Sequence, residues 1–554
     1  MLAALRHIRR PTRWLLTGAG CGLMFGLAAT VDAQPPRTPG AVGDLAGQVP
    51  AQAAQARSAP VVRPPAEPQE FYDAAAAWWA PGDGRVLPAV SEYATPSGRV
   101  RVMNSSGPVA TSGHPFFTAL GPNGRACVTC HQPASAMGLS AESVRQRWAE
   151  TGGKDPLFAA VDGSNCPSLP QGDAASHSLL LNKGLFRIFL PWPPRAADST
   201  PIAPEFTIEV VRDPTGCNLD PKYGLKSANP MVSVFRRPRP VANMKFLTEL
   251  PHGVPPHEAF VYNDKSLLPK DPETGRFVSL QLLSDGRQPT LKTQAVDAAL
   301  NHLQAPAIPK QDQLARIVAF ENQVYAAQVF DNTGGALTGA GAPPALGPEA
   351  LRDGAPARLG NNPINKVFGS FTMWLNPAAG EDRARAEFRQ SVARGAEVYY
   401  SRRFLIRDVG VYNDKGLGNP IKRSCASGCH NTLLMGMDLA PGFMDLGLNN
   451  YPWAEQQSDL PLFKVTCKTS ARPQSYLGRE IYTHDPGRAL ITGKCADVGA
   501  TMTQQLRGLS ARAPYFANGS AANLRELVDF YDRRFNIGYT EQEKRDLTNF
   551  MSVL

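Results

Sequence analysis

Two short stretches of the sequence place a pair of cysteines directly before a histidine. The first reads "CVTCH": two residues separate Cys127 from Cys130, and His131 follows. This spacing is typical of covalent c-type haem attachment, in which both thiols bond to the haem and the histidine binds its iron. The alternative is a small disulfide loop beside an unrelated histidine. We predict a haem site at Cys127 and Cys130, with His131 as the axial ligand.

The second stretch, "CASGCH", is one residue longer than the usual motif. Three residues separate Cys425 from Cys429, and His430 follows at once. The histidine keeps its place beside the second cysteine, and Gly428 lets the longer loop adopt unusual dihedrals. A disulfide cysteine beside an unrelated histidine stays an alternative. A zinc site is disfavoured, because no second Cys or His pair stands at ligand spacing. We predict a second covalent haem here, with His430 as the axial ligand.

The N-terminus predicts export. Residues 1–33 combine several arginines, a short apolar run from Trp14 to Ala29, and small residues before a cleavage point after Ala33. This pattern is typical of a signal peptide, although a retained anchor is the alternative. We expect a periplasmic protein with no stable membrane span after processing. Residues 34–67 are rich in Pro and Ala and predict a disordered tether.

The cysteines that remain fit an oxidising compartment. Removal of residues 1–33 leaves eight cysteines, four of them in the haem stretches. From proximity in sequence we predict disulfides Cys166–Cys217 and Cys467–Cys495, with cross-pairing as the alternative. The formal net charge of +9 is spread along the chain and does not indicate a nucleic-acid partner.

The two haem stretches lie in two halves of the chain. We predict an N-terminal haem domain at 68–332, a Gly/Ala/Pro-rich linker at 333–362 and a C-terminal cytochrome c domain at 363–554. Helical spacing of apolar residues is clear at 310–330 and before Cys425, and Thr540 with Glu543 forms a capping box ahead of the last apolar residues. Strand signals are short and scattered. We expect a mainly α protein of two cytochrome c-like haem domains with long irregular connections.

Several further stretches resemble one family. "LRGLSARAPYFANGSAANLRELVDFYDRRF" at 506–535, "DPGRALITGK" at 485–494 and "LLSDGRQPTLKTQAVDAALNH" at 282–302 resemble the bacterial di-haem cytochrome c peroxidases, which include MauG. The likeness to di-haem rubber oxygenases is more remote. The resemblance implies substrate chemistry at the N-terminal haem, on hydrogen peroxide, dioxygen or an organic substrate. It further implies electron relay at the C-terminal haem from a small redox protein or another donor, and a structural calcium ion between the domains.

The same resemblance gives candidate catalytic residues and two departures from the family pattern. Gln294 matches the family glutamine, whereas Gln304 stands where the family has its catalytic glutamate. A glutamine cannot exchange the peroxide proton, so His302, close in sequence, becomes a further candidate. The tryptophan expected before "DGR" is Ser284. Both departures put ordinary peroxidase turnover in question.

The sixth ligand of the second haem is a further open choice. Tyr531 matches the tyrosine that MauG-like members present, and a phenolate ligand would lower the reduction potential. The alternatives are Met435, Met437 and Met551. We therefore expect a di-haem oxidoreductase of the cytochrome c peroxidase or MauG type. A non-catalytic electron-transfer cytochrome and a rubber-oxygenase-like haem dioxygenase are the two alternatives.

Overall fold

The computed structural model describes residues 78–554, except 197, 249–270, 272, 274, 276–281, 355–370, 416–417, 431–442 and 456. The predicted signal peptide (1–33), the tether (34–67) and part of the predicted linker lie outside the described residues. The chain from Glu70 to Leu554 forms one compact unit. No described helix has the length and apolar composition needed to cross a membrane.

Eleven α-helices lie in the described part of the chain. They are α1 Ala141–Thr151, α2 Ser178–Lys183, α3 Lys245–Thr248, α4 Leu291–Asn301, α5 Gln311–Gln323, α6 Gly347–Asp353, α7 Arg383–Ser401, α8 Cys425–Gly428, α9 Ala489–Thr492, α10 Leu524–Phe535 and α11 Glu541–Ser552.

The described residues also contain fifteen strands. They are β1 Val86–Leu87, β2 Val90–Thr95, β3 Gly98–Asn104, β4 Val109–Ala110, β5 Phe186–Pro191, β6 Phe206–Arg212, β7 Met231–Arg236, β8 Val324–Asp331, β9 Gly335–Ala336, β10 Phe404–Ile406, β11 Ile421–Arg423, β12 Phe443–Met444, β13 Leu462–Cys467, β14 Glu480–Thr483 and β15 Thr501–Met502. They form six small sheets of two to four strands, the largest in the order β2-β3-β8-β9.

The prediction of a mainly α protein is therefore wrong. The strands are short, and many pair with segments far away in the sequence, so local periodicity cannot reveal them. Strand β6 pairs with β13, for example, with Phe206 opposite Cys467. The helix predicted over 310–330 ends at Gln323, because the β-branched and aromatic stretch from Val324 onward pairs with β3 instead.

Helices α7 and α11 pack closely against each other in the C-terminal half. A Cβ atom on Gly395 would lie only 2.0 Å from the carbonyl oxygen of Asp546, so glycine permits the close approach. The Asp546 carboxylate accepts hydrogen bonds from Ser391 and Arg394 of α7. The predicted capping box of Thr540 and Glu543 is confirmed at the start of α11. These contacts fix helix α7 against α11, the last helix of the chain.

Candidate functional site

Each cysteine–histidine stretch lines a cavity of its own. The N-terminal cavity, lined by Cys127, Cys130 and His131, encloses about 1170 Å³ of empty space including its open mouth. The C-terminal cavity, lined by Cys425, Cys429 and His430, encloses about 1420 Å³. None of the four cysteines takes part in a disulfide bond.

Each stretch contains the same kind of backbone hydrogen bond, from the histidine N–H to the carbonyl of the first cysteine, although the two stretches differ in length. The His131 N–H donates to the carbonyl of Cys127 at 3.1 Å, and the His430 N–H donates to the carbonyl of Cys425 at 2.9 Å. The first bond closes an α-type turn over four residues and the second a π-type turn over five. The extra residue is thus taken up inside the turn. The histidine keeps the same relation to the first cysteine.

A hydroxyl group caps both turns in the same way. The Ala126 N–H donates to Thr129 Oγ1 at 3.0 Å, and the Ser424 N–H donates to Ser427 Oγ at 2.9 Å. Gly428 ends the helical turn of α8, and a Cβ atom there would lie 2.7 Å from Ile406 Cδ1. Gly428 does not adopt the left-handed conformation, and the side chain of Ile406 packs closely over it.

The imidazole of His131 is held in an orientation suited to a metal ligand. Its Nδ1 lies 3.3 Å from the carbonyl oxygen of Met137, which leaves Nε2 available for iron. Burial lowers the pKa of His131 to about 4, so the ring is neutral at pH 7, which is the form that binds metals. Burial likewise raises the pKa of the Cys130 thiol to about 12 and that of Cys425 to about 11.

Three partly or fully buried arginines that form no ion pair with a described carboxylate complete the fit to haem. Arg237 lines both cavities, Arg239 lines the N-terminal cavity and Arg512 lines the C-terminal cavity. Their side chains donate hydrogen bonds to backbone carbonyls, and no described carboxylate forms an ion pair with them. Burial, with the charge of Arg512, lowers the pKa of Arg237 to about 9. A haem carries two propionate carboxylates, which Arg239 and Arg512 can bind as counterions, whereas the guanidinium group of Arg237 is already held by three backbone carbonyls.

A histidine–aspartate pair stands in the wall of the N-terminal cavity. His302 Nδ1 lies 2.5 Å from Asp162 Oδ2, and both residues line the cavity. Asp162 also forms a buried ion pair with Arg125. Burial alone would raise the pKa of Asp162, but the Arg125 charge and the His302 hydrogen bond outweigh it, so this pKa lies below its ordinary value. The pair thus holds an ionised carboxylate against one ring nitrogen of His302.

The other two predicted catalytic residues differ in position. Gln294, on α4, lines the N-terminal cavity together with Ala298, which occupies the family's proline position. Gln304 follows α4, is exposed, and does not belong to the lining of the N-terminal cavity. The glutamine that replaces the family glutamate is therefore away from the site that it was expected to occupy.

Glu321 is a cavity residue that the sequence analysis missed. It lies on α5, lines the N-terminal cavity and is only 3% exposed. Its Oε2 atom has no hydrogen-bond partner among the described residues, and burial raises its pKa to about 8. The sequence held a signal: Glu321 stands four residues after Ile317 and seven after Leu314, on the apolar face of the helix. A carboxyl group on the apolar face of a helix is expected to be buried, and buried polar groups often have a functional role.

In the C-terminal cavity the structure brings Tyr531 to the wall. Leu527, Val528 and Tyr531 of α10 all line it, as their helical spacing predicted. Met551 lines the same cavity, whereas Met435 and Met437 lie outside the described residues. The choice of sixth ligand therefore stays a prediction.

A backbone contact joins the walls of the two cavities. Ser284, at the position of the family tryptophan, lines the N-terminal cavity, and its carbonyl accepts a hydrogen bond from the N–H of Met502 at 2.8 Å. Met502 lines the C-terminal cavity. The cavity walls thus meet where the family places its tryptophan.

The remaining cysteines pair as the sequence analysis proposed. Cys166 lies against Cys217 with Cα atoms 5.2 Å apart, and Cys467 lies against Cys495 with Cα atoms 5.8 Å apart, each pair at disulfide distance. Among the described residues no group of three His, Cys, Asp or Glu side chains is arranged to hold a metal ion. Calcium therefore stays an expectation of the resemblance.

Comparison with known proteins gives a distant relationship. No protein-family model matches the chain. A protein named cytochrome-c peroxidase IdrP1 from Pseudomonas sp. (strain SCT) is 28% identical over 208 residues, which cover 34% of this chain and 52% of that protein. Its namesake from Denitromonas iodatirespirans is 31% identical over 147 residues, 24% of this chain and 37% of that protein. The chain thus spans about half the length, or less, of two distant relatives named as peroxidases.

Proposed function

We propose that this chain is an exported di-haem c-type cytochrome acting as a peroxidase-like oxidoreductase. One observation carries the proposal: two separate cavities, each lined by two cysteines and the histidine that follows them. The distant relatives named cytochrome-c peroxidase support the same reaction class. We assign peroxide chemistry to the N-terminal cavity and electron relay, from a small redox protein or another donor in the periplasm, to the C-terminal cavity.

The difference between the cavities supports this division. The N-terminal cavity contains the His302–Asp162 pair and the buried carboxyl group of Glu321. The C-terminal cavity is walled mainly by apolar and aromatic side chains, including those around Tyr531. Peroxide reduction needs protons as well as electrons, whereas relay needs only electrons. Groups that exchange protons therefore belong beside the haem that meets the substrate.

The residues of the N-terminal cavity can perform the proton transfers. A haem bound there supplies an iron that exchanges electrons with peroxide. His302, held through Nδ1 by Asp162, keeps Nε2 as the ring nitrogen that accepts and returns a substrate proton. Arg125 keeps Asp162 ionised and in place. Gln294 presents an amide group to the same cavity and can hydrogen-bond a substrate oxygen.

The first experiment measures the intact mass of the mature protein. Two covalent haems are expected. A single haem, with Cys429 free or disulfide-bonded, would remove the second site from the proposal.

The second experiment measures peroxide-dependent oxidation of a reduced cytochrome donor by the di-haem protein. His302→Gln should lower the rate by roughly 100-fold, since a positioned acid–base group is worth about 10²–10⁴. Asp162→Asn should lower it less, because the imidazole remains. Gln304→Ala, at an exposed position outside the cavity lining, is the matched control and should leave the rate unchanged. An active His302→Gln protein would exclude that role. A wild-type protein with two haems and no turnover would favour an electron carrier.

A groove beside the N-terminal cavity favours a second candidate, oxygenation of an organic substrate. The groove encloses about 2690 Å³ of empty space and shares Ile188, Arg287 and His302 with the cavity. Leu300 and Ile308 also line it, and both side chains are exposed. Hydrogen peroxide needs no apolar surface of this kind. Oxygen consumption that depends on an added unsaturated hydrocarbon, without added peroxide, would favour this candidate over the peroxidase.

A further inference from the structure

One short segment of chain forms part of both cavity walls. Arg237 and Pro238 follow strand β7 and line the N-terminal and the C-terminal cavity alike. The Arg237 N–H donates to the carbonyl of Ala517 at 2.8 Å, which fixes the backbone at this point. Its side chain is therefore positioned between the two candidate haem sites.

The guanidinium group of Arg237 is held by backbone carbonyls alone. Nη1 donates to Lys183 O at 2.8 Å, and Nη2 donates to Leu139 O at 2.5 Å and Arg512 O at 2.9 Å. A Cβ atom on Gly184 would lie 2.7 Å from Nη1, so the glycine leaves room for the group. This set of contacts fixes the position of the positive charge without neutralising it.

No described carboxylate neutralises that charge, and the charged neighbour that acts on it most strongly is Arg512, another cation. The side chain is partly buried, and it lies where both cavities share a wall. A cation near a haem stabilises the reduced form, because reduction removes one positive charge from the iron. The fixed charge of Arg237 can therefore act on both sites.

We propose that Arg237 is an electrostatic link between the two haems, whose single charge, fixed between the two cavities, raises both reduction potentials. This inference rests on the proposed di-haem function. Arg239 and Arg512 provide matched controls, because each lines one cavity only. The link would act where the family's tryptophan is replaced by Ser284.

The test is a redox titration of the haem-loaded full-length protein, with each haem followed by its own spectroscopic signature. Arg237→Gln should shift the reduction equilibrium of both haems at least tenfold towards the oxidised form, which is about 59 mV for one electron. Arg239→Gln should shift the N-terminal haem alone, and Arg512→Gln the C-terminal haem alone. A shift at only one haem in Arg237→Gln, or at neither, would overturn the proposal.

A second variant, Arg237→Lys, tests the proposal if Arg237→Gln does not fold. Arg237→Lys keeps the positive charge, so both haems should stay much closer to their wild-type potentials than is expected for Arg237→Gln. A shift at both haems as large as that expected for Arg237→Gln would show that the charge is not what acts, and would overturn the proposal. The mass of the protein keeps the two hypotheses apart. Fewer than two haems would refute the di-haem function, whereas two haems with independent responses would refute only the link.

Discussion

Replacement of Glu321 by glutamine should change how the stability of the protein depends on pH. The carboxyl group is 3% exposed, and burial raises its pKa to about 8 from the ordinary value of 4.5. The folded protein thus retains a proton here that the unfolded chain releases above about pH 4.5. The contribution of this group to stability is complete below pH 4.5 and is lost progressively as the pH rises to about 8.

The size of the effect follows from the two pKa values. Each pH unit between them corresponds to about 1.4 kcal/mol, so the wild type should lose on the order of 5 kcal/mol between pH 4 and pH 9 through this group. Glutamine has nearly the same shape and does not titrate. Glu321→Gln should therefore be close to the wild type at pH 5 and several kcal/mol more stable at pH 9.

The assay is equilibrium unfolding of the haem-loaded protein in urea at a series of pH values, followed by circular dichroism. The quantity compared is the difference in unfolding free energy between variant and wild type, which cancels the groups that both share. Asp312→Asn is the control, because Asp312 is exposed on the same helix α5. If the difference between Glu321→Gln and wild type is the same at pH 5 and pH 9, the carboxyl group is not a buried, unpaired acid.

Two further predictions concern the second haem. Tyr531→Phe should change its ligand field and raise its potential with little effect on haem content, whereas Met551→Leu should do neither; the opposite pattern in visible spectra and redox titration would identify a methionine ligand. Gly428→Ala places a Cβ atom 2.7 Å from Ile406 Cδ1, the end of a flexible side chain that can turn away, so mass spectrometry should show both haems attached as in the wild type. Loss of the second haem in Gly428→Ala, with recovery when Ile406→Ala is added, would show instead that the contact is rigid.

The sequence could predict the parts of the site that depend on neighbouring residues. The cysteine and histidine spacing, the capping box at Thr540 and the face of α10 that carries Tyr531 all follow from local patterns. It could not predict the His302–Asp162 pair, whose members are 140 residues apart. The two cavities that share Arg237 and the pairing of β6 with β13 were equally hidden. Such contacts depend on tertiary packing, which cannot be predicted from the local periodicity of the sequence.

The match of this sequence to the family pattern by residue count did not locate the acidic residue of the N-terminal cavity. The count put Gln304 in the place of the catalytic glutamate, yet the structure leaves that residue exposed after α4. The acid that the cavity does contain, Glu321, comes from the following helix. A match by residue count gives the order of residues along the chain, but it does not give the direction in which each side chain points. A turn such as the one at Gln304, where φ is 53°, changes the direction of the chain within one residue.

The distribution of buried polar groups argues against a protein that only carries electrons. A carrier needs two haems at a suitable distance, and any buried group that exchanges protons beside one of them lowers its stability without a gain. Here Glu321 and the Asp162–His302 pair are found in the N-terminal cavity, and the free energy lost through Glu321 grows as the pH rises. Local features that reduce stability concentrate at functional sites. The polar groups of the N-terminal cavity are therefore the groups that the proposed proton transfer to a substrate would need there.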